Sequence, residues 1–243
     1  MPSQKIAKSS PLWLLFDIFM LVGTAGLGVC YVWARHLGHV GTFCDISDLV
    51  VHLPERILFR MNFSFVGVFL AFASFPIKSM MDTRASSSKM KHLVSFAQVC
   101  QFCSGFGVAL VGACGPEEIF GLHLLAAVLG FGGSAMAQVA FNFVLYYEDQ
   151  VTMPDSAGKL FKVRCAISTV FFIAAIILGL GELPNGLPEP TERIAEWSLW
   201  FCLMAWYFTF KQDLKDYFVG AFVQDDGEEQ RGVYMGVSLI STL

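Results

Sequence analysis

The chain has 243 residues, 55% of them hydrophobic and only 15% charged. Soluble domains carry about a quarter charged residues, so this chain has too little polar surface to coat a globule in water, and its mean hydropathy of +0.59 points to lipid as the solvent. A formal net charge of −4 supplies no basic face for phosphates and excludes nucleic acid as a partner.

Residues 1–10 form a short polar lead, after which six apolar runs follow at about 11–33, 57–77, 92–114, 119–145, 160–181 and 194–214. Each approaches the about 20 residues that a membrane helix needs. The first is too long for a signal-peptide core and reads as a retained span. The expected architecture is therefore all-α: a single six-transmembrane-helix bundle over 11–217, with an acidic tail over 218–243. "KSMMDTRASSSKMK", "GPEE", "YYEDQVTMPDSAGK" and "GELPNGLPEPTER" separate the later spans. Lys5, Lys8, Lys78, Arg84, Lys89, Lys91, Lys159, Lys162, Arg164, Lys211, Lys215 and Arg231 fall on one side of the six spans, against Arg35, Arg56, Arg60 and Arg193 on the other. By the positive-inside rule, both termini are expected in the cytosol.

The loop after the first span reads "CDISDLVVHLPERILFRMNFSF" (Cys44–Phe65). Asp48 suits a loop acid that accepts backbone N–H groups. Pro54 suits a first helical position, and Glu55 complements a helix N-terminus. Asn62-Phe63-Ser64 spells a glycosylation acceptor, but inside an apolar run it is out of reach of the transferase. His36, His39, Asp45, Asp48, His52 and His123 share the expected outer face and are zinc-ligand types. No H-E-x-x-H, G-x-S-x-G or P-loop accompanies them, so structural roles are preferred, with no metal or cofactor and no catalytic residue assigned. Cys44 and Cys114 lie near the same face, close enough in depth for a bridge to be considered.

Polar groups within spans are costly and face the bundle interior, a partner or a cavity. The intramembrane candidates are Arg60, Asn62, His123, Gln138, Asn142, Glu196 and Trp197. Asp17 lies nearer the cytosolic end of the first span. They read either as interhelical glue or as an outer-face pocket for a lipid headgroup, and Arg56 or Arg60 is placed by depth to pair with Glu196. Small residues band together at Gly130–Ser134, where close helix packing competes with a lipid-accommodating groove.

The sequence resembles the damage-regulated autophagy modulator (DRAM) family, within the Frag/DRAM/Sfk superfamily of six-span membrane proteins. Ile46-Ser47-Asp48, Pro54-Glu55 and Asn62-Phe63-Ser64 match its first luminal loop and second span. Glu196-Trp197, Thr209-Phe210 and Gln212-Asp213 match its last span. Leu53 stands where the family carries a proline. The resemblance implies a non-enzymatic regulator or adaptor in autophagy and lysosomal biology or in phosphoinositide-kinase-linked membrane regulation. Remodelling of lipid anchors is a second activity within the superfamily. Endolysosomal, Golgi or plasma membrane would be its location, membrane lipids and protein partners its contacts, and a bound lipid or sterol is compatible with it. A lipid-handling protein with an outer-face polar pocket, and an accessory subunit of a channel or receptor, stand beside that expectation. In the tail, Tyr234 and Val237 fit a tyrosine sorting signal, and Ser241 and Leu243 fit a carboxy-terminal groove ligand.

Overall fold

A computed structural model describes residues 5–149, 155–181, 187–214, 217–225 and 231–239. Helix α1 (Leu12–Leu37) runs for 26 residues, about 39 Å at 1.5 Å per residue, longer than a hydrocarbon layer of about 30 Å is thick. A loop with one 3-10 turn (Ser47–Val50) leads into α2 (Glu55–Arg84). Helix α3 (Ser88–Ala113) returns after a three-residue turn, its start capped by the Ser87 hydroxyl, which accepts from the Met90 N–H at 3.3 Å. The next crossing is built from α4 (Phe120–Ala127), a π-turn (Val128–Gly132) and α5 (Gly133–Asp149). Helices α6 (Asp155–Gly181), α7 (Glu189–Phe208) and the short α8 (Phe210–Asp213) complete the helical part.

Five of these segments are long and apolar enough to cross a membrane: Leu12–Leu37, Glu55–Arg84, Ser88–Ala113, Phe120–Tyr147 and Gly158–Gly181. They coincide with the first five apolar runs. The sixth run also folds as a helix, α7, but Glu189, Glu192, Arg193 and Glu196 crowd its first two turns and dilute its apolar length. Only the stretch beyond Glu196 is continuously greasy.

The helical class describes the membrane part. The ends of the chain add something the sequence reading did not contain: a three-stranded antiparallel sheet of β1 (Lys5–Pro11), β2 (Tyr217–Asp225) and β3 (Arg231–Leu239), in that order. Pro11 pairs with Phe218 and Lys5 with Val223, while Tyr217 pairs with Leu239 and Asp225 with Arg231. The tail is thus a hairpin over much of its length. Its Val, Phe and Tyr content suits strands; most of its acidic run, at 226–229, lies outside the described residues. The pairing brings the entry to α1 and the exit from α8 to one end of the bundle.

Two sets of close approaches fix the helix packing. A Cβ on Gly67 would meet Gly105 O at 2.5 Å, and one on Gly105 would meet Gly67 O at 2.5 Å, so α2 and α3 touch backbone to backbone. A Cβ on Gly107 would meet Gly130 N at 2.1 Å, which seats the π-turn against α3. Ser104 Oγ donates to Gly130 O at 2.6 Å and satisfies a carbonyl there. Around these seams the core is aromatic: Phe59 stacks on Phe63 at 4.2 Å and Phe63 on Trp200 at 4.4 Å between ring centroids.

Candidate functional site

The end of the bundle that carries residues 38–54 holds a cavity of about 440 Å³ between α2, α3, α4, α6 and α7. Its polar end is made by Asp45, Ser47, His123, Glu192 and Glu196, and its body by Phe59, Phe63, Phe131, Leu199 and Trp200. Phe120 on α4 and Val128 at the start of the π-turn belong to the lining yet are 56% and 60% exposed, and Gly179 across from them on α6 is also exposed. The wall between α4 and α6 is therefore open sideways, toward the surface that lipid would cover. A volume of this size lies within the range of about 300–1,000 Å³ typical of ligand sites.

Helix α7 builds the polar end through a spacing of four. Glu192, Glu196 and Trp200 lie on one face of the helix, and all three line the cavity. Glu192 lies over Gly181, where a Cβ would come within 2.6 Å of its carboxyl. Glu196 Oε2 accepts from Ile46 N at 2.6 Å and, more weakly, from Ser47 N at 3.5 Å. Next to it the Trp197 indole N–H donates to Cys44 O at 2.9 Å. Arg193 donates to Phe43 O at 3.0 Å and reaches Asp45 at 3.5 Å. Within the loop, Asp48 accepts from the Asp45 N–H at 3.1 Å, the role expected for it. Burial and the neighbouring Asp48 push the Asp45 carboxyl above its usual range, and Arg193 pulls it back. Burial also pushes the Cys44 thiol up to about 11.

The two blocks that carried the resemblance thus meet in space. Ile46 and Ser47 of the first loop are bonded to Glu196 of the last helix, about 150 positions away in sequence. Phe63 joins them as a wall of the cavity. Glu55 is the first residue of α2 and Pro54 its cap, one position earlier than expected; Glu55 is buried and bonded to His39 Nδ1 at 2.5 Å. Ser64 is partly exposed and outside the lining.

The remaining candidates divide. His123 lines the cavity, and its Nδ1 bonds Cys114 O at 2.7 Å. Asn62 does not reach it: it is 3% exposed and donates to Gly23 O on α1 at 3.3 Å. Gln138 bonds Ser134 within α5, and Asn142 bonds Ser168 across to α6 at 3.0 Å. Asn62 and Asn142 thus join neighbouring helices, while the Gln138 bond stays within its own. Arg60 is not the partner of Glu196: it pairs with Glu118 at 2.6 Å, and Arg56 reaches Glu118 at 3.4 Å and Glu117 at 4.0 Å. Glu196 lies instead on the loop, which offers it backbone donors. Cys44 and Cys114 are both free thiols. Among the described residues no three His, Cys, Asp or Glu side chains converge as metal ligands; His39 is engaged by Glu55, and His52 lies against the His39 ring at 4.8 Å. Tyr234 and Val237 fall within β3, paired with Phe222 and Val219, while Ser241 and Leu243 lie outside the described residues.

Sequence reasoning missed Glu192 and Trp200. The signal was available: they lie four residues before and four after Glu196, which puts all three on one helical face.

The Arg60–Glu118 clamp gives a pH prediction. Its hydrogen bond from Arg60 holds the Glu118 carboxyl below the usual range. A depressed carboxylate adds stability above its unfolded pKa and loses it as pH falls through the folded one. Wild type should therefore melt above Glu118→Gln at neutral pH and at pH 5, the small difference vanishing only on further acidification. Melting curves of the two proteins from pH 7 down to pH 3 check this.

Residues 11–217 match the family model for the Frag1/DRAM/Sfk1/Cwh43P N-terminal domain. Neither a curated protein nor a solved structure matches the chain.

Proposed function

The chain belongs to the Frag1/DRAM/Sfk1/Cwh43P N-terminal domain family, and on that premise we propose that it is a polytopic membrane regulator that binds a membrane lipid in the cavity beneath its first loop. One observation carries this: an apolar cavity of about 440 Å³, open sideways between α4 and α6, closed at its end by polar groups from the loop and α7. A lipid can enter such a site from the bilayer, leaving its chains against the open wall and its head among Asp45, His123, Glu192 and Glu196.

The reading takes α7 as a sixth span with both termini in the cytosol. The Lys and Arg bias supports that orientation. So does the Pro11–Phe218 pairing, which brings the entry to α1 and the exit from α8 together, as an even number of crossings would. At 20 residues, α7 is about 30 Å long, enough to cross once its polar first turns sit at the interface. The cavity then faces the lumen or the outside. Regulation of the DRAM kind, in autophagy, at the lysosome or beside a phosphoinositide kinase, would pass from lipid occupancy to the cytosolic loops and sheet, where protein partners dock. Endolysosomal, Golgi and plasma membranes all present the required faces.

The test is photolabelling of the purified protein in mixed phospholipid vesicles with a diacyl probe carrying a photoreactive acyl chain. Peptides from α4, α6 and α7 should be labelled, and Gly179→Phe should suppress the labelling, because a side chain added there meets nothing within 4 Å and fills the mouth. Labelling confined to other helices, or unchanged in Gly179→Phe, overturns the reading.

A further inference from the structure

The polar end of the cavity is made of acceptors. Asp45, Glu192 and Glu196 are carboxylates, and no Lys or Arg belongs to the lining. The Nδ1 of His123 faces a carbonyl, Cys114 O, at 2.7 Å. A carbonyl only accepts, so Nδ1 carries a proton, and in that tautomer of the uncharged imidazole Nε2 is the acceptor. Asp45 has Arg193 beside it and Glu196 has the Ile46 N–H, but among the described residues no Lys or Arg pairs with Glu192.

A second and independent feature lies deeper. Trp200 lines the same cavity, is 1% exposed, and its indole N–H has no hydrogen-bond partner. A buried donor left unmade is costly; Trp197, three residues earlier, spends its N–H on Cys44 O. The orphaned donor of Trp200 calls for an acceptor oxygen below the acceptor-lined rim.

Resting on the lipid-binding reading above, we propose that the cavity selects a lipid whose head carries a primary ammonium next to an acceptor oxygen. The ammonium donates to Glu192, Glu196 and His123 Nε2, and the oxygen accepts from Trp200. An ethanolamine phospholipid meets this through its phosphate, and a free sphingoid base through its hydroxyls. A trimethylated choline head has no N–H to donate. A head that is only an anionic phosphate meets three carboxylates with no cation to offset them. Charge-assisted hydrogen bonds are the stronger class, so loss of the ammonium donors should weaken capture by at least about tenfold.

The experiment uses the full chain in phosphatidylglycerol-free vesicles. Photoreactive diacyl probes with identical chains carry ethanolamine, choline or a bare phosphate. The expected result is labelling of α4, α6 and α7 by the ethanolamine probe at least about tenfold above the other two, with Glu192→Gln erasing most of that preference. Among the described residues Glu192 bonds no loop backbone, so this variant should melt like wild type, and its melting curve is run alongside. Competition by unlabelled sphingosine but not by ceramide, whose amine is acylated, would assign the site to sphingoid bases as well; competition by neither restricts it to ethanolamine phospholipids. Equal labelling by all three heads, still abolished by Gly179→Phe, overturns the ammonium selection and leaves the lipid cavity standing. Strongest labelling by choline overturns it in favour of an aromatic cation site. Labelling by none removes the cavity reading itself.

Discussion

Asp213→Ala is expected to destabilise the folded protein by about 3–5 kcal/mol, the range for removing one partner of a buried ion pair. Asp213 is shared by two guanidinium groups: Arg84 of α2 reaches Oδ1 at 2.9 Å, and Arg164 of α6 bonds Oδ2. Arg164 is 2% exposed and also donates to Thr209 Oγ1 at 2.8 Å and Thr209 O at 3.0 Å. Its guanidinium lies over the Phe210 ring at 4.3 Å. The carboxylate thus ties α2 and α6 to α8 at the end opposite the cavity. Without it, the Arg84 and Arg164 guanidinium groups lose the carboxylate they share. The control is Asp82→Ala, which removes a half-buried i,i+4 partner of Lys78 and should cost roughly 0.5–1 kcal/mol. Melting curves of both variants in one detergent decide the matter: equal shifts for Asp213→Ala and Asp82→Ala would overturn the assignment. Replacing both partners by apolar residues, Arg164→Met with Asp213→Leu, should recover part of the loss, since the cost lies in the uncompensated charge.

Much of this arrangement was legible in the sequence, for reasons that differ from part to part. Apolar runs of spanning length translate directly into helices, because backbone polar groups in lipid must be satisfied within the segment. The first five followed that rule. Helix α7 obeyed it only in part, since Arg193 and Glu196 are held by a loop that no local pattern announces. The resemblance marked Ile46, Ser47 and Glu196 without saying that they touch; contact across about 150 residues is a property of the packed bundle. Depth alone suggested Arg60 for Glu196. Depth places two groups on one level but does not orient them, and Arg60 faces α3–α4 and Glu118 instead. The tail strands were obscured by the charge between them: the acidic run that made the segment read as a solvated tail lies between β2 and β3 in sequence, outside the described residues. The intramembrane polar residues looked alike in sequence, and only packing separates Asn62, bonded to Gly23, from His123 at the cavity.

Glu196→Ala should act on the loop first and on the cavity through it. The carboxylate accepts from Ile46 N at 2.6 Å and from Ser47 N at 3.5 Å, where the 3-10 turn begins and few internal partners exist for such donors. Truncation leaves the Ile46 N–H without an acceptor in a half-buried setting, at a cost of about 1–3 kcal/mol. The adjoining Trp197–Cys44 bond holds the same loop from the next residue, so the loop should loosen without the bundle falling apart. Cys44 reports on this directly. It is 3% exposed, and burial pushes its thiol up to about 11, so in the wild type it should react slowly with a maleimide at neutral pH. In Glu196→Ala, the residue gains solvent and its reaction should accelerate by roughly tenfold or more, in line with a loss of that size. Glu196→Gln keeps an acceptor oxygen for Ile46 and should stay near the wild-type rate. That contrast separates loop anchoring from charge. If both variants accelerate alike, the negative charge rather than the hydrogen bond holds the loop; if neither does, Trp197 and Arg193 anchor it without Glu196. Rates are read at Cys44 by mass spectrometry of the labelled peptide, because Cys103 is also exposed on the lipid-facing side of α3 and would otherwise dominate the total.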